Sequence, residues 1–552
     1  MATNILSIGQ SALAAAQVGL STTGHNIANA ATPGFSRQVV VQGAAQPQNY
    51  GFGFLGQGTE ISAVKRIYSE FLGSQVRTAQ TTKSGLDSHY AQIKQIDNML
   101  ADPASGLSPA LQGFFSGIQE LSSNPSSIPA RQAALSSAET LAARFQSLAG
   151  RLDEIEQGVN SQITSSVSVI NSYAKQVAQL NDAIGRAQGA NGQPANDLLD
   201  QRDQLILDLN KEIRATVVKQ GDGGYNVFIG NGQPLVVGVT TSSLTTIASL
   251  TDPEKIEVAY QTASGPVMVG ESSLAGGKLG GVMEFRSQSL KPAQAALDTL
   301  AIDLATTFNA QHRLGQDING TLGGDFFVIP SAQAGASGFS VAIADPKLIA
   351  AAAPIRTAVT TGNTGSGAIS AGSVNTPPPP NANLQQPVTI TFTSATTFDV
   401  TGTGTGNPTG VTYTPGGTIA YNGWSATISG TPVPPDSFTI EPNTGGVGDN
   451  RNALLLGALQ TTNTMNGGTT TYQGAYSQIV SQIGNKTREL DVTSSAAGML
   501  LSEATLSLQT ESGVNLDEEA TNLLRYQQAY QAAGKVMQIA SQMFDVLLSL
   551  GR

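Results

Sequence analysis

The chain has 552 residues, only 12% of them charged, with a formal net charge of −11 at pH 7 and no cysteine. The length predicts about three to five domains, and the negative charge argues against nucleic acid or an anionic membrane as a partner, since either favours clustered Lys and Arg. The missing cysteines exclude disulfides and thiolate chemistry. No apolar run reaches the length of about 18 residues that membrane insertion requires. The N-terminus also lacks the pattern of a cleaved signal peptide.

The N-terminal segment, residues 1–36, contains no Asp, Glu, Lys or Arg. Large apolar residues recur there every seven positions, and a small residue follows three positions after each of the first three: Leu6, Leu13, Leu20 and Ile27, with Gly9, Ala16 and Thr23. This pattern predicts a helix face that packs closely against another helix. Because a helix without charges has no strongly polar face, we expect other copies of the chain to bury it.

The glycine-rich segment Gly51–Gly56 matches the spacing G-x-G-x-x-G of dinucleotide-binding loops. That role needs a buried strand before the segment and a helix that begins at its last glycine. Here Gln57–Ile61 reads as a turn and a strand instead. We therefore interpret the segment as a hairpin loop.

The middle of the chain alternates between helical and strand patterns. Apolar residues follow helical spacing from about 75 to 215, with loop breaks at 102–103, 124–129 and 189–194, and again from about 287 to 314. Alternating residues on both sides of Gly230–Gly232 predict a β-hairpin. Between 331 and 450, short alternating runs rich in Thr and Gly predict a small all-β domain with the single tryptophan, Trp424.

The C-terminal segment again shows a seven-residue repeat, with a second residue four positions after each large one: Leu516, Leu523, Tyr530, Met537 and Phe544, with Ala520, Gln527, Gly534, Ser541 and Leu548. Asn515 is a suitable N-cap for this helix. Asp517–Glu519 would occupy its first turn, where the helix dipole favours carboxylates. Heptads at both ends predict that the ends of the chain meet.

These patterns predict a multidomain α+β fold. The terminal heptad helices would form an α-helical coiled-coil core, with a helix-rich domain around it and inserted, outward-facing all-β domains. The predicted terminal coiled-coil core comprises 1–40 plus 511–552, and the predicted helix-rich scaffold comprises 41–215 plus 285–330 and 451–510. A β-rich domain is predicted at 216–284, and an outer Thr/Gly-rich all-β domain is predicted at 331–450.

Candidate chemistry is sparse. The three histidines, His25, His89 and His312, have no carboxylate or second histidine at i+3 or i+4, so we expect no metal. No G-x-S-x-G elbow occurs. The acidic runs Asp153–Glu156 and Asp517–Glu519 are interpreted as solvated helix faces and partners of the helix dipole. We predict no enzyme and no cofactor.

One segment has no purely local explanation. Asn26–Phe35 reads N-I-A-N-A-A-T-P-G-F. Pro33 disfavours helix at Thr32 and Gly34 suits a turn, but neither accounts for the polar run before them. The segment resembles the signature N-I-A-N-x-N-T-P-G-[FY] of the flagellar axial proteins of rod, hook and hook–filament junction. Ala31 departs from the signature, where Asn is usual.

The C-terminus distinguishes members of this family. Gly513–Ala520, with Leu523-Leu524 and Tyr526–Ala532, resembles the junction members, whereas rod and hook proteins carry an Asn-Val-Asp-Leu start and an Ala-Gln-Arg core there. Ser36–Gln38 and Asn196–Asp203 also resemble the junction members. The likeness covers both ends and the helical parts, and says little about 331–450.

The resemblance implies a structural subunit of the bacterial flagellum that forms the junction between hook and filament and is needed for filament assembly. It also implies secretion through the flagellar type III export apparatus without a cleaved signal peptide, and an extracellular location at the hook–filament junction. The implied partners are the flagellar hook protein, the second hook–filament junction protein, further copies in a helical ring, and a cytoplasmic export chaperone that holds the C-terminal helix.

Two assembly surfaces follow from the heptads and the motif. The first lies on the N-terminal helix and motif, at Leu6, Leu13, Leu20, Ile27, Asn26, Asn29, Thr32, Pro33, Gly34 and Phe35. The second, which would also bind the chaperone, lies on the C-terminal helix, at Leu516, Leu523, Tyr530, Met537, Phe544 and Leu548.

Three alternatives stay open from the residues alone. A flagellar hook or rod structural protein would share the N-terminal motif and differ at the C-terminus. A secreted adhesin-like binding module would bind a ligand through an isolated Thr/Gly-rich β domain. An exported hydrolase acting on wall polymers would need a carboxylate pair in a cleft, and no sequence feature supports one.

Overall fold

The computed structural model describes residues 2–221, 223–328, 331, 334–375 and 378–550. The chain forms two compact units. The first unit comprises Met1–Gln92, Gln157–Arg286 and Thr487–Arg552, and the second comprises Ile93–Glu156 and Ser287–Lys486. The multidomain α+β fold predicted from the sequence is confirmed.

Long helices supply most of the secondary structure, and the predicted breaks at 102–103, 124–129 and 189–194 fall at or beside their ends. The helices are α1 Ala2–Asn29, α2 Glu70–Leu100, α3 Leu107–Ser123, α4 Ile128–Asn191, α5 Asn196–Glu212, α6 Gly277–Phe285, α7 Lys291–His312, α8 Arg451–Ala458, α9 Tyr472–Ser512 and α10 Leu516–Leu550. No helix in the described ranges combines the length and apolarity that a bilayer crossing requires.

The strands of the first unit form small antiparallel sheets. They are β1 Gln38–Ala44, β2 Gln48–Asn49, β3 Phe54–Leu55, β4 Thr59–Arg66, β5 Ala215–Lys219, β6 Tyr225–Ile229, β7 Gln233–Val237, β8 Thr240–Thr241, β9 Leu244–Ala248, β10 Ile256–Thr262 and β11 Gly265–Met268. β1 pairs with β4, β2 with β3, β5–β8 are paired in sequence order, and β10 lies between β9 and β11. The hairpin predicted at Gly230–Gly232 and the hairpin loop predicted at Gly51–Gly56 are both confirmed.

The strands of the second unit are β12 Phe327–Val328, β13 Ser340–Val341, β14 Ile355–Val359, β15 Ala368–Ile369, β16 Ser373–Val374, β17 Val388–Phe392, β18 Thr397–Thr401, β19 Val411–Thr412, β20 Thr418–Tyr421, β21 Trp424–Ser429 and β22 Ser437–Pro442. One sheet has the order β14-β22-β17-β18-β19, and β21 pairs with β15, β16 and β20. Trp424, Ile390 and Phe438 share one buried core, because alternate residues of each strand point to the same side.

The helical part of the second unit has an aromatic core around Phe114, Phe308 and Phe326. His312 packs against Phe326 and is fully buried. Its Nδ1 lies 2.8 Å from the carbonyl oxygen of Gly324, and the amide of Ala350 donates to its Nε2 at 2.9 Å. These contacts require a neutral ring with its proton on Nδ1, and burial lowers the pKa of His312 to about 4.

Candidate functional site

The terminal helices α1 and α10 pack against each other in the first unit. They run antiparallel, since Gly9 faces Met537, Gly19 faces Tyr526 and Asn26 contacts Glu519. The buried residues of this seam are mostly small: Gly9, Ala15, Ala16, Gly19, Thr23 and Asn26 on α1, with Glu519, Ala533 and Ala540 on α10. A Cβ atom on Gly19 would lie 2.5 Å from Cδ1 of Tyr526, so the helices approach closely only because this residue is glycine.

The large residues of both predicted stripes flank this seam. Leu6, Leu13 and Leu20 are half-buried and Ile27 is exposed. On α10 the stripe is exposed apart from the half-buried Met537, at Leu516, Leu523, Tyr530 and Phe544; the side chain of Leu548 lies outside the described part of the structure. On α1 the small heptad positions Gly9, Ala16 and Thr23 are therefore buried in the contact within the chain. On α10 the predicted small positions Gln527 and Ser541 are exposed, and Ala533 and Ala540 are buried instead. Most of the large positions leave apolar surface beside this contact.

The N-terminal motif forms the exit from α1. Asn29 closes the helix, because its Nδ2 donates to the carbonyl oxygen of His25 at 3.0 Å and its Oδ1 accepts from Thr32 Oγ1 at 3.2 Å. Pro33 prevents the helix from continuing. Gly34 has a φ of 77°, a conformation that favours glycine. The polar Asn-Ile-Ala-Asn run thus acts through side chains that bind backbone.

Asn26, the first residue of the motif, joins α1 to β1. Its Nδ2 donates to the carbonyl oxygen of Gln38 at 2.8 Å, and its Oδ1 accepts from the amide of Gln38 at 2.9 Å. An asparagine amide carries one donor group and one acceptor, so it pairs with this backbone as a neighbouring strand would. The same Nδ2 donates to Glu519 Oε2 at 3.1 Å, and the buried side chain therefore links the N-terminal helix, the first strand and the C-terminal helix.

Glu519 lies at the centre of this site, with only 2% of its surface exposed. Arg37 Nε donates to its Oε1 at 2.8 Å, and Arg37 Nη1 lies 2.7 Å from Oε2 of the exposed Glu518. The amide of Arg37 also donates to the carbonyl oxygen of Ser512 at 2.8 Å, just before α10. A buried carboxylate is tolerated only when it is paired and hydrogen-bonded. The expectation that Glu519 faces solvent in the first turn of the helix is therefore wrong, because the side chain is buried. Asp517 and Glu518 are exposed as expected.

The start of α5 fixes the other side of the exit. Asp200 accepts from the amide of Ser36 at 2.9 Å and from Arg66 Nη1 at 2.7 Å. Arg66 also lies 2.7 Å from the carboxylate of Asp203. Burial raises the pKa of Asp203, and the charge of Arg66 opposes that shift. Behind this pair Arg202 is fully buried with its guanidinium 3.5 Å from the ring centroid of Tyr225.

The motif also lines a cleft of about 690 Å³ in the first unit. Five of the predicted assembly residues, Asn29, Thr32, Pro33, Gly34 and Phe35, lie at this cleft. His25 Nε2 is 3.2 Å from Asp197 Oδ1, and its ring contacts that of Phe35 edge-on at 5.4 Å. The structure thus brings the motif residues together, while Asn26 faces Glu519 instead.

Arg37, Asp200 and Glu519 were not among the predicted site residues. Their only signals in the sequence were Ser36–Gln38 beside the motif, the polar segment Asn196–Asp203 and the acidic first turn of α10. Nothing in the described structure groups three or more histidines and carboxylates as a metal ion would require.

Three family models match the chain. The helical domain of the flagellar hook-associated protein FlgK matches residues 93–327, the flagella basal body rod protein matches 6–35, and the C-terminal part of the flagellar basal body rod FlgEFG protein matches 509–550. The two rod models therefore cover most of α1 and α10.

Curated relatives and one solved structure are similar over most of their length. Flagellar hook-associated protein 1 of Escherichia coli (strain K12) is 35% identical over 99% of this chain and 100% of its own. Its counterpart in Bacillus subtilis (strain 168) is 24% identical over 99% and 97%. The flagellar hook junction protein FlgK from Burkholderia pseudomallei is 31% identical, with a TM-score of 0.72 over 79% of this chain and 100% of that chain.

Proposed function

Because the chain belongs to the flagellar hook-associated protein 1 family, we propose that it is a structural subunit of the bacterial flagellum that joins the hook to the filament and is needed for filament assembly. Its location is the flagellum, at the hook–filament junction. A flagellar hook or rod protein is not favoured, since a relative of the junction type matches the full length at 35% identity.

The terminal helix pair is the observation that best supports this function. Its seam is closed by small residues within the chain, while large apolar residues remain uncovered beside it, notably Leu516, Tyr530 and Phe544 on α10. Residues 1–36 add no charge to this surface. Repeated copies that pack side by side would cover it, because apolar surface of this extent is stabilised by contact with a partner. We propose Leu6, Leu13, Leu20 and Ile27 of α1 as the facing residues.

The proposed partners are the flagellar hook protein, the second hook–filament junction protein and further copies in a helical ring. Membership of a family that shares its terminal segments with rod proteins supports association with flagellar proteins. We further propose secretion through the type III export apparatus without a cleaved signal peptide. A cytoplasmic chaperone would cover the exposed stripe of α10 until export, since a helix with one apolar face fits a hydrophobic groove.

The role is structural and not catalytic. The relatives carry names of structural flagellar proteins, and the polar side chains of the candidate site bind backbone and one another. We propose that the acidic and basic groups around Glu519 stabilise the contact between α1 and α10. No observation favours an adhesin-like module.

The division into domains proposed from the sequence leads to a second expectation. We propose that the outer β domain at 331–450 is dispensable for joining hook to filament, because inserted domains tolerate change when the scaffold around them is kept. A chain with this segment replaced by a Gly-Ser linker should still support filaments. Bare hooks in such cells would assign an axial contact to the segment.

Deletion of the gene, followed by electron microscopy of the cells, tests the proposed function. We expect hooks without filaments, with filament protein lost to the medium, and recovery of filaments when the gene is returned. Filaments of normal number on the deletion cells would contradict the function. Cells without hooks would assign the chain to rod or hook.

A further inference from the structure

The hairpin of β2 and β3 presents an aromatic tip to solvent. Phe52 is 79% exposed and Phe54 is 72% exposed, and Tyr50 stacks on Phe52 with a centroid distance of 6.1 Å. Gly51 and Gly53 have φ angles of 82° and 151°, so the backbone turns between the aromatic residues in conformations that favour glycine. No charged residue occurs between Arg37 and Glu60. An uncharged aromatic patch of this kind marks a contact surface.

The hairpin is held beside the N-terminal half of α1. Asn4 Nδ2 donates to Tyr50 Oη at 3.4 Å, and the amide of Thr59 donates to Ser11 Oγ at 3.3 Å. A Cβ atom on Gly58 would lie 2.3 Å from Ser11 Oγ, so the base of the hairpin fits closely against the helix. The hairpin therefore lies on the face of α1 that carries Asn4 and Ser11, whereas Leu6 and Leu13, two residues further along in each case, lie about half a turn away around the helix.

The same end of the helix pair carries a second apolar surface. Since α1 and α10 are antiparallel, the C-terminal half of α10 lies beside the N-terminal half of α1. Its exposed residues follow helical spacing, at Val536, Ile539, Met543 and Val546. From Tyr526 to Leu550 only Lys535 and Asp545 are charged. Within one chain, the hairpin tip and this face are both exposed, so neither covers the other.

We propose that the hairpin is a contact between copies of this chain, in which Phe52 and Phe54 of one copy pack on the exposed C-terminal half of α10 in the next copy. This inference rests on the proposed function and adds residues to its self-association. The two surfaces differ from each other, so the contact is head-to-tail and repeats into a ring or a helix. Both surfaces are apolar and almost uncharged, which suits them to each other and not to a charged partner.

Photo-crosslinking tests the partner directly. The substitution Phe52→p-benzoylphenylalanine keeps an aromatic side chain at the tip, and hook–filament structures isolated from cells would then be irradiated. We expect a product of twice the chain's mass whose crosslinked peptide includes residues 536–546. The same substitution at Leu250, which is 100% exposed outside the patch, is the matched control and should give no such product.

A crosslink from position 52 only to the hook protein or to another flagellar protein would overturn the proposal, and so would the absence of any intermolecular product. Binding of the purified chain to phosphatidylcholine vesicles, lost when both phenylalanines are replaced by serine, would assign the tip to lipid and would also overturn it.

A filament count separates this inference from the proposed function. The variant F52S/F54S should keep the parent's melting temperature, because both side chains are exposed, and filaments per cell should fall about tenfold or more, since central aromatic residues dominate contacts between proteins. Leu250→Ser should change neither quantity. Normal filaments with F52S/F54S, beside none in the deletion cells, would refute the hairpin contact and leave the proposed function standing. Normal filaments in the deletion cells would refute the proposed function itself.

Discussion

Replacing Glu519 with alanine should release the C-terminal helix from the exit of α1. Glu519 accepts from Arg37 Nε at 2.8 Å and from Asn26 Nδ2 at 3.1 Å while it is 2% exposed. A hydrogen bond to a charged group contributes about 1.5–3 kcal/mol. In the variant, Arg37 keeps its contact with Glu518 and some access to water, so the loss of its hydrogen bond to Glu519 is partly offset. We expect a cost of about 3 kcal/mol, which corresponds to roughly a hundredfold shift in the local opening equilibrium.

Hydrogen exchange of backbone amides measures that opening by segment. In the Glu519→Ala variant, amides around Asn26 and in the first turns of α10 should exchange about a hundredfold faster, with the second unit unchanged. Glu518→Ala is the matched control: its side chain is 57% exposed, so it should cost under about 1 kcal/mol. Adding Arg37→Ala to Glu519→Ala should cost less than the sum of the two changes, because the residues act together. Equal effects of the Glu518 and Glu519 variants would refute the reasoning.

Three further outcomes are expected. Gly19→Ala should destabilise the helix pair by about 1–3 kcal/mol, because the new Cβ meets an aromatic ring. Gly24→Ala, whose Cβ would have no atom within 4 Å, should stabilise it by up to about 1 kcal/mol. Hydrogen exchange of the α1 amides measures both effects, and destabilisation by both variants would contradict the close seam. His312 is neutral when folded, because burial lowers its pKa from 6.5 to about 4. Its contribution to stability, up to about 3 kcal/mol, is therefore complete above pH 6.5 and is lost as the pH falls towards 4. The free energy of unfolding, measured in urea across this range, should depend less on pH in His312→Gln, and an unchanged pH dependence would exclude this group. Leu523→Glu should weaken both chaperone binding in a pull-down and filament formation, since it places a carboxylate in an apolar contact; normal values of both would remove the stripe from the interface.

The heptads predicted that the two ends of the chain meet, and the contact between α1 and α10 agrees. They did not predict which residues form the seam. Leu13 and Ala16 recur with the same period of seven, so periodicity alone assigns both to one stripe. The choice between them depends on the distance between the helix axes, and the close approach at Gly19 buries the small positions of α1. On α10 the predicted small positions Gln527 and Ser541 are exposed, and Ala533 and Ala540 are buried instead.

The polar part of the site was less accessible to sequence reasoning. Arg37 and Glu519 are separated by 482 positions, and a glutamate in a first helical turn already has a local explanation in the helix dipole. Likewise Asp200 reads as an ordinary acidic residue of a helix until Ser36 and Arg66 are placed against it. Long-range pairs of charges leave no periodic trace, whereas apolar faces do.

The most direct measurement is the structure of the intact hook–filament junction by cryo-electron microscopy. We expect a ring of this chain between the hook and the filament, with the α1–α10 pairs of neighbouring copies in contact through Leu13 and Tyr530. A junction that contains no copy of this chain, or one in which the terminal helices of neighbouring copies do not touch, would contradict the account.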